Sequence, residues 1–175
     1  MNKIPLEEAL ALVKFPVYGL TEEVCGLRYR SHMPFALDHF RDFEARGWNN
    51  STFTIHYQTE RYKPYLHAMV SGPTFSVNSL QREHEVATMS TYLRIMEWNP
   101  DKIPEADRRP VFSCKGSISI AGKMFTGIIT YRPAPLCHSV FELSSGRMCL
   151  DGQALGPHPD DLIQILEALR VLNDK

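Results

Sequence analysis

The sequence lacks the features that mark membrane-spanning and secreted proteins. No apolar stretch approaches the roughly 20 residues that a helix needs to cross a bilayer, and no basic segment followed by an apolar run opens the chain. The cysteines have no C-x-x-C spacing, so we expect free thiols at Cys25, Cys114, Cys137 and Cys149. Together these observations predict a cytoplasmic protein that neither spans a membrane nor is exported.

A strong charge of either sign is also missing. The chain has 19 basic and 20 acidic residues and a formal net charge of -1, so no overall field attracts nucleic acid. With 43% hydrophobic and 22% charged residues, the composition is that of an ordinary globular protein. A length of 175 residues fits one hydrophobic core. We therefore expect a single domain over residues 1–175 and no nucleic-acid partner.

Short catalytic motifs are absent as well. The chain contains neither G-x-S-x-G nor G-x-G-x-x-G, and Gly116 to Gly122-Lys123 departs from the phosphate-loop motif by one extra residue and by Met124 in place of Ser or Thr. His84-Glu85 begins like H-E-x-x-H but has Thr88 at the second ligand position. These absences argue against an α/β hydrolase, a P-loop NTPase and a Rossmann enzyme. We predict no cofactor and no catalytic residue, and we lean against an enzyme, with families that lack short motifs as the remaining alternative.

Apolar residues at helical spacing predict four helices. Near the N-terminus Leu6 and Leu10 repeat at this spacing, and near the C-terminus Leu162 and Leu166 belong to a broad apolar stripe. Asn78 with Gln81 resembles a capping box before the third helix. The predicted helices cover residues 4–13, 34–46, 86–96 and 160–172.

Alternating apolar and polar residues predict about six antiparallel strands, paired as hairpins. The first hairpin is predicted to place Ile55 opposite Leu66 across a turn at residues 59–62. The strands cover residues 52–58, 64–70, 113–121, 124–131, 139–144 and 147–151.

The other two hairpins have glycine-containing turns. A turn at Gly122-Lys123 places Ile120 opposite Phe125, and a turn at Ser145-Gly146 places Leu143 opposite Met148. Hairpins between N-terminal, middle and C-terminal helices are typical of an α+β fold rather than of a parallel α/β fold. The sequence therefore predicts an antiparallel sheet packed against these helices.

Candidate binding residues cluster on the first hairpin. Arg61, Tyr62 and Tyr65 are of types that dominate binding hot spots. The predicted register makes His56 and His67 diagonal neighbours on the polar face of the sheet. Because catalytic zinc normally has three protein ligands, two imidazoles do not define a metal site. We therefore name these five residues as binding candidates and predict no metal ligands.

These observations favour a non-enzymatic protein-binding module of the adaptor, inhibitor, immunity-protein or chaperone type, whose partner is another protein. The first alternative is a small hydrolase or metal-dependent enzyme that uses His56 and His67 with a carboxylate from another element. The second is a small-molecule carrier with a pocket between the sheet and a covering helix. The sequence leaves the oligomeric state open.

Overall fold

The computed structural model describes residues 4–34, 51–59, 63–64, 70–71, 73–81, 112–132 and 138–174. Within them lie two helices and eleven strands. In chain order they are α1 (Leu6–Leu12), β1 (Tyr18–Gly19), β2 (Arg28–Pro34), β3 (Ser51–Gln58), β4 (Lys63–Pro64), β5 (Val70–Ser71), β6 (Thr74–Gln81), β7 (Phe112–Ile120), β8 (Lys123–Arg132), β9 (His138–Ser145), β10 (Met148–Leu155), α2 (Pro159–Glu167) and β11 (Arg170–Val171).

Seven strands form the main sheet in the order β2-β3-β6-β10-β9-β8-β7, and every neighbouring pair is antiparallel. The pairs β1-β11 and β4-β5 form two short separate ladders. The described chain is thus mostly antiparallel sheet with two helices, in agreement with the predicted α+β class. The main sheet contains five of the six predicted strands, without residues 64–70, and two further strands that were not predicted, β2 and β6.

One face of the sheet forms one side of the hydrophobic core. Strand alternation places Ile55, Val77 and Phe141 on this face, and all three are buried. Both helices contribute to the same buried cluster. Their buried side chains are Ala9 and Leu10 from α1 and Leu162, Ile165 and Leu166 from α2.

The helix α2 starts as predicted but ends earlier. His158 is its N-cap, and the imidazole Nδ1 accepts a hydrogen bond from the backbone N–H of Asp160 at 3.3 Å. The helix ends at Glu167 because the chain then turns to pair β11 with β1. The Arg170 guanidinium donates to the backbone oxygens of Glu167 and Leu169 at 2.8 Å, which satisfies carbonyls at the helix end.

Polar groups inside the core attach the N-terminal segment to the sheet. The buried Ser79 hydroxyl accepts a hydrogen bond from the Tyr18 backbone N–H at 2.8 Å. The Tyr57 hydroxyl accepts one from the Leu20 N–H at 2.8 Å. Burial raises the pKa of Tyr57 to about 12, so this phenol stays neutral at physiological pH.

The predicted first hairpin is wrong. Strand β3 lies between β2 and β6, so Ile55 has His32 and Val77 as its register partners. Both edges of β3 are therefore occupied, and no ladder position beside it is left for residues 64–70. Of that segment, Pro64 pairs with Val70 in the separate β4-β5 ladder.

The other two hairpins form at the predicted positions, and their side chains point to the predicted faces of the sheet, but their registers differ from the prediction. Ile120 pairs with Lys123 across an Ala121-Gly122 turn, in which φ is positive at both central residues, the signature of a type I′ turn. Leu143 pairs with Leu150, two residues from the predicted Met148. A shift of two residues keeps every side chain on its predicted face.

The two predicted middle helices fall almost entirely outside the described residues. Pro34, the predicted start of the first, is the last residue of β2. Asn78 and Gln81, the predicted cap of the second, lie in β6. At both positions the backbone pairs with a neighbouring strand, so the helical prediction is wrong there.

No helix in the described part of the chain is long and apolar enough to cross a membrane. Cys25 is exposed and Cys149 is buried, and neither forms a disulfide bond. This agrees with the predicted thiol form at these two positions.

Candidate functional site

His56 is the one sequence-predicted binding residue among the described positions. It lies in β3 on the face opposite the core, with Ser31 of β2 and Ser76 of β6 as its register neighbours. The side chain is half-buried. Its proposed partner His67, with Arg61, Tyr62 and Tyr65, lies outside the described residues. The hairpin register from which we inferred the diagonal histidine pair does not form.

A row of polar side chains crosses the central strands beside His56. The Thr54 hydroxyl donates to the Asn78 side-chain oxygen, and the Asn78 amide nitrogen donates to an Asp151 carboxylate oxygen at 2.6 Å. Glu142 of β9 is opposite Asp151 in the register, and its side chain is buried. This face therefore brings two carboxylates and one imidazole to the same side of the sheet.

The imidazole of His56 is held in its neutral form. Burial lowers its pKa from 6.5, and the nearby positive charge of Arg30 lowers it further. A neutral imidazole can accept or donate a hydrogen bond, but it does not form an ion pair with Asp151 or Glu142 at neutral pH. Among the described residues, no group of three or more His, Cys, Asp or Glu side chains could hold a metal ion.

This lowered pKa predicts a pH dependence of stability. Because the unfolded chain binds a proton at His56 more readily, stability should be highest above pH 6.5 and fall as the pH drops below it. The melting temperature of His56→Gln should fall less than that of wild type when the pH is lowered from about 7.5 to about 5.5, because the variant lacks the titrating imidazole. Equal losses in paired thermal melts would contradict the assignment. At pH 7.5 the variant should lie within about 0.5 kcal/mol of wild type.

The two edges of the main sheet differ in how they are protected. At the β2 edge the register shifts between Tyr29 and Ser31, which is a bulge or irregularity. The exposed Arg28 and Arg30 flank Tyr29, and Pro34 ends the strand. Bulges, charged side chains and proline are the features by which natural proteins block the addition of another strand.

The β7 edge has almost none of these features. All nine residues from Phe112 to Ile120 pair with β8 in an unbroken register. The strand contains no proline, and its one charged residue is Lys115. Lys115, Gly116, Ser117 and Ser119 are exposed, whereas Ile118 and Ile120 point into the core. In the part of the chain that the structure describes, β8 is the only strand beside β7.

The turn fixes which backbone groups of β7 point away from the sheet. In a two-residue turn the C=O of the first flanking residue accepts from the N–H of the last, here Ile120 and Lys123. Residues bonded to β8 alternate with residues whose N–H and C=O point outward. The outward set is therefore Ser113, Lys115, Ser117 and Ser119.

A shallow groove of about 530 Å³ lies next to the β7-β8 turn. Ser119 and Gly122 line one side, and Glu167, Arg170 and Asp174 line the other. The Arg170 guanidinium is already bonded to carbonyls at the end of α2. The groove is therefore better explained by the packing of the C-terminal segment than by ligand chemistry.

Comparison with protein-family models, with curated proteins and with solved structures found no match to this chain. Sequence reasoning identified His56 but missed the β7 edge, because the order of strands in a sheet is not a local property of the sequence. The alternation of Ser113, Lys115, Ser117 and Ser119 with apolar or glycine positions was the available signal.

Proposed function

We propose that this chain is a non-enzymatic protein-binding module that accepts an extended segment of its partner along the edge of β7. The observation that carries the proposal is the contrast between the two edges of the sheet. The β2 edge is irregular and rich in arginine, whereas β7 offers nine regularly paired residues with one charge. A long exposed edge is a template for strand addition, in which backbone hydrogen bonds supply affinity.

The side chains along β7 suit recognition of a partner backbone. Ser117 and Ser119 are small and exposed, so they leave room for a neighbouring strand. The Ser117 hydroxyl is hydrogen-bonded to the Thr126 hydroxyl at 2.9 Å, which orients it along the sheet face. We keep Arg61 and Tyr62 as predicted contributors to binding and a cytoplasmic location as part of this proposal.

Proline at Ser117 tests the proposal. The Ser117 N–H points outward, so Ser117→Pro removes a donor for the added strand while leaving the β7-β8 ladder bonded. Ser117→Ala removes the hydroxyl but keeps the N–H, so it is the matched control. When wild type and Ser117→Ala are immobilised and incubated with native cell extract, both should retain the same partner protein in stoichiometric amount. Ser117→Pro should retain at least about fivefold less, because a carbonyl of the added strand loses its donor, which costs roughly 1 to 3 kcal/mol, and about 1.4 kcal/mol is a factor of ten.

Equal retention by Ser117→Pro and Ser117→Ala would reject strand addition at β7. Circular dichroism and amide exchange of the unbound variants must first show that both keep the β7-β8 ladder. If Ser117→Pro loses this ladder, Ser117→Lys is tested in its place. It adds a charged side chain to the β7 edge, as Arg28 and Arg30 do at the β2 edge.

A second candidate function is favoured by the polar face of the sheet. His56, Asp151 and Glu142 share this face, which supports the small-hydrolase alternative, whereas no group of three such side chains among the described residues could hold a metal ion. The same polar side chains could orient a small ligand, as the carrier alternative requires. The double variant Asp151→Asn, Glu142→Gln separates this candidate from strand addition. Bound metal and bound small molecules are measured in the purified variant and in purified wild type, and a difference between the two proteins supports a site on this face.

A further inference from the structure

We propose that the strand added at β7 is β7 of a second copy of this chain, so that two sheets join into one across a twofold axis. This inference builds on the proposed function and names its partner. It depends on the register and chemistry of β7 itself, whose central residue is Gly116. Antiparallel pairing centred on Gly116 overlaps all nine residues of both strands, with residues 112–114 of one copy beside residues 118–120 of the other.

The backbone groups of the two strands match in this register. Antiparallel strands exchange hydrogen bonds only between residues whose N–H and C=O both point toward the partner. Centring on Gly116 places Lys115 beside Ser117 of the second copy, and Ser113 beside Ser119. Each outward-facing residue therefore meets an outward-facing residue, whereas Gly116, which is bonded to β8, meets its own equivalent.

The side chains of the exposed residues also match. The Lys115 side chain lies beside a serine of the other copy and not beside a second lysine. A Cβ built on Gly116 would have no atom of the described residues within 4 Å, so this position at the centre of the strand is open on its side-chain face. Centring the pair on Lys115 would instead place the two lysines opposite each other, which is destabilising. Centring on Ser117 would shorten the overlap.

Closed twofold pairing is also favoured over an open chain of molecules. Pairing β7 of one copy with β2 of the next is a head-to-tail contact that leaves one edge of each molecule unpaired in a dimer. The bulge or irregularity in β2 and its two exposed arginines oppose that arrangement. A net charge of -1 leaves little overall repulsion between copies.

Sedimentation equilibrium of the purified full chain tests the inference. At about 100 µM, where interfaces with micromolar Kd are occupied, wild type and Ser117→Ala should have twice the chain mass of 20.0 kDa. Ser117→Pro should be monomeric. In the proposed register residue 117 lies beside Lys115 of the other copy, twice per dimer. Ser117→Glu should therefore lower the dimer Kd by roughly threefold to tenfold, and Ser117→Lys should raise it by a similar factor.

The opposite responses of the glutamate and lysine variants are specific to this register, and added salt should reduce both. A dimer whose Kd is the same in both variants would overturn the inference, because another surface or register would then hold it together. A monomeric wild type at this concentration would also overturn it. In that case the proposed function survives only if Ser117→Pro still abolishes retention of a different protein from extract.

Discussion

The variant Leu166→Asp should fail to fold or should lose most of its stability. Leu166 is fully buried in α2, within the cluster that joins both helices to the sheet. The substitution removes a large apolar side chain, which costs about 2 to 5 kcal/mol. It also places a charged carboxylate among the apolar side chains of the core, which is a further cost. Because the total stability of a domain of this kind is only about 5 to 15 kcal/mol, we expect no cooperative thermal transition near that of wild type.

Ile163→Asp is the matched control for this prediction. It introduces the same carboxylate in the same helix, three residues away, at a residue that is 36% exposed. We expect its melting temperature to remain within a few degrees of wild type, since partly exposed positions tolerate charge. Circular dichroism melts of the three proteins measure the difference. If Leu166→Asp melts with the control, α2 does not pack on the sheet as described.

The sequence predicted the C-terminal half of the sheet well because its signals are local. Strand alternation in β7 to β10 determines which side chains face the core, and these faces agree with the structure. The register near Ala121 was missed because a left-handed conformation is uncommon for alanine, yet φ is +48° there. A type I′ turn matches the twist of the two strands, and this preference overrides the cost at Ala121.

The N-terminal half of the sheet could not be predicted in the same way. Strand β6 has Ser79 at an inward position, so the apolar alternation of Phe75 and Val77 is broken. The structure shows that Ser79 accepts the backbone N–H of Tyr18, a contact between residues 61 positions apart. A buried serine is stable when it is hydrogen-bonded, but no local pattern reveals that partner.

The candidate site was predictable only in part, for a related reason. The face of the sheet to which His56 points follows from the alternation within its own strand. Its neighbours Ser31 and Ser76, however, come from two other strands. The exposed edge at β7 depends on the order of all seven strands. Strand order is decided by packing over the whole sheet, so it has no signature within β7.

Gly152 illustrates how that packing is decided, and it carries the second large predicted effect. It lies between Val77 of β6 and Phe141 of β9 in the middle of the sheet. The Phe141 ring stacks on Phe75 with centroids 5.7 Å apart. A Cβ on Gly152 would lie 2.0 Å from the Ser76 backbone oxygen and 2.7 Å from Phe141 Cζ. The absence of a side chain thus allows the aromatic ring to cover the strand.

Gly152→Ala should therefore destabilise the protein by about 3 kcal/mol or more, because a backbone oxygen cannot move aside as a flexible side chain can. Gly116→Ala is the matched control: it makes the same substitution in a strand of the same sheet, where a Cβ would have no atom within 4 Å. Alanine there should be neutral or stabilising by up to about 1 kcal/mol, since glycine carries a larger entropy cost on folding. Urea denaturation of both variants measures the contrast. Equal stabilities would mean that β6, β10 and β9 do not approach each other as closely at Gly152 as the structure shows.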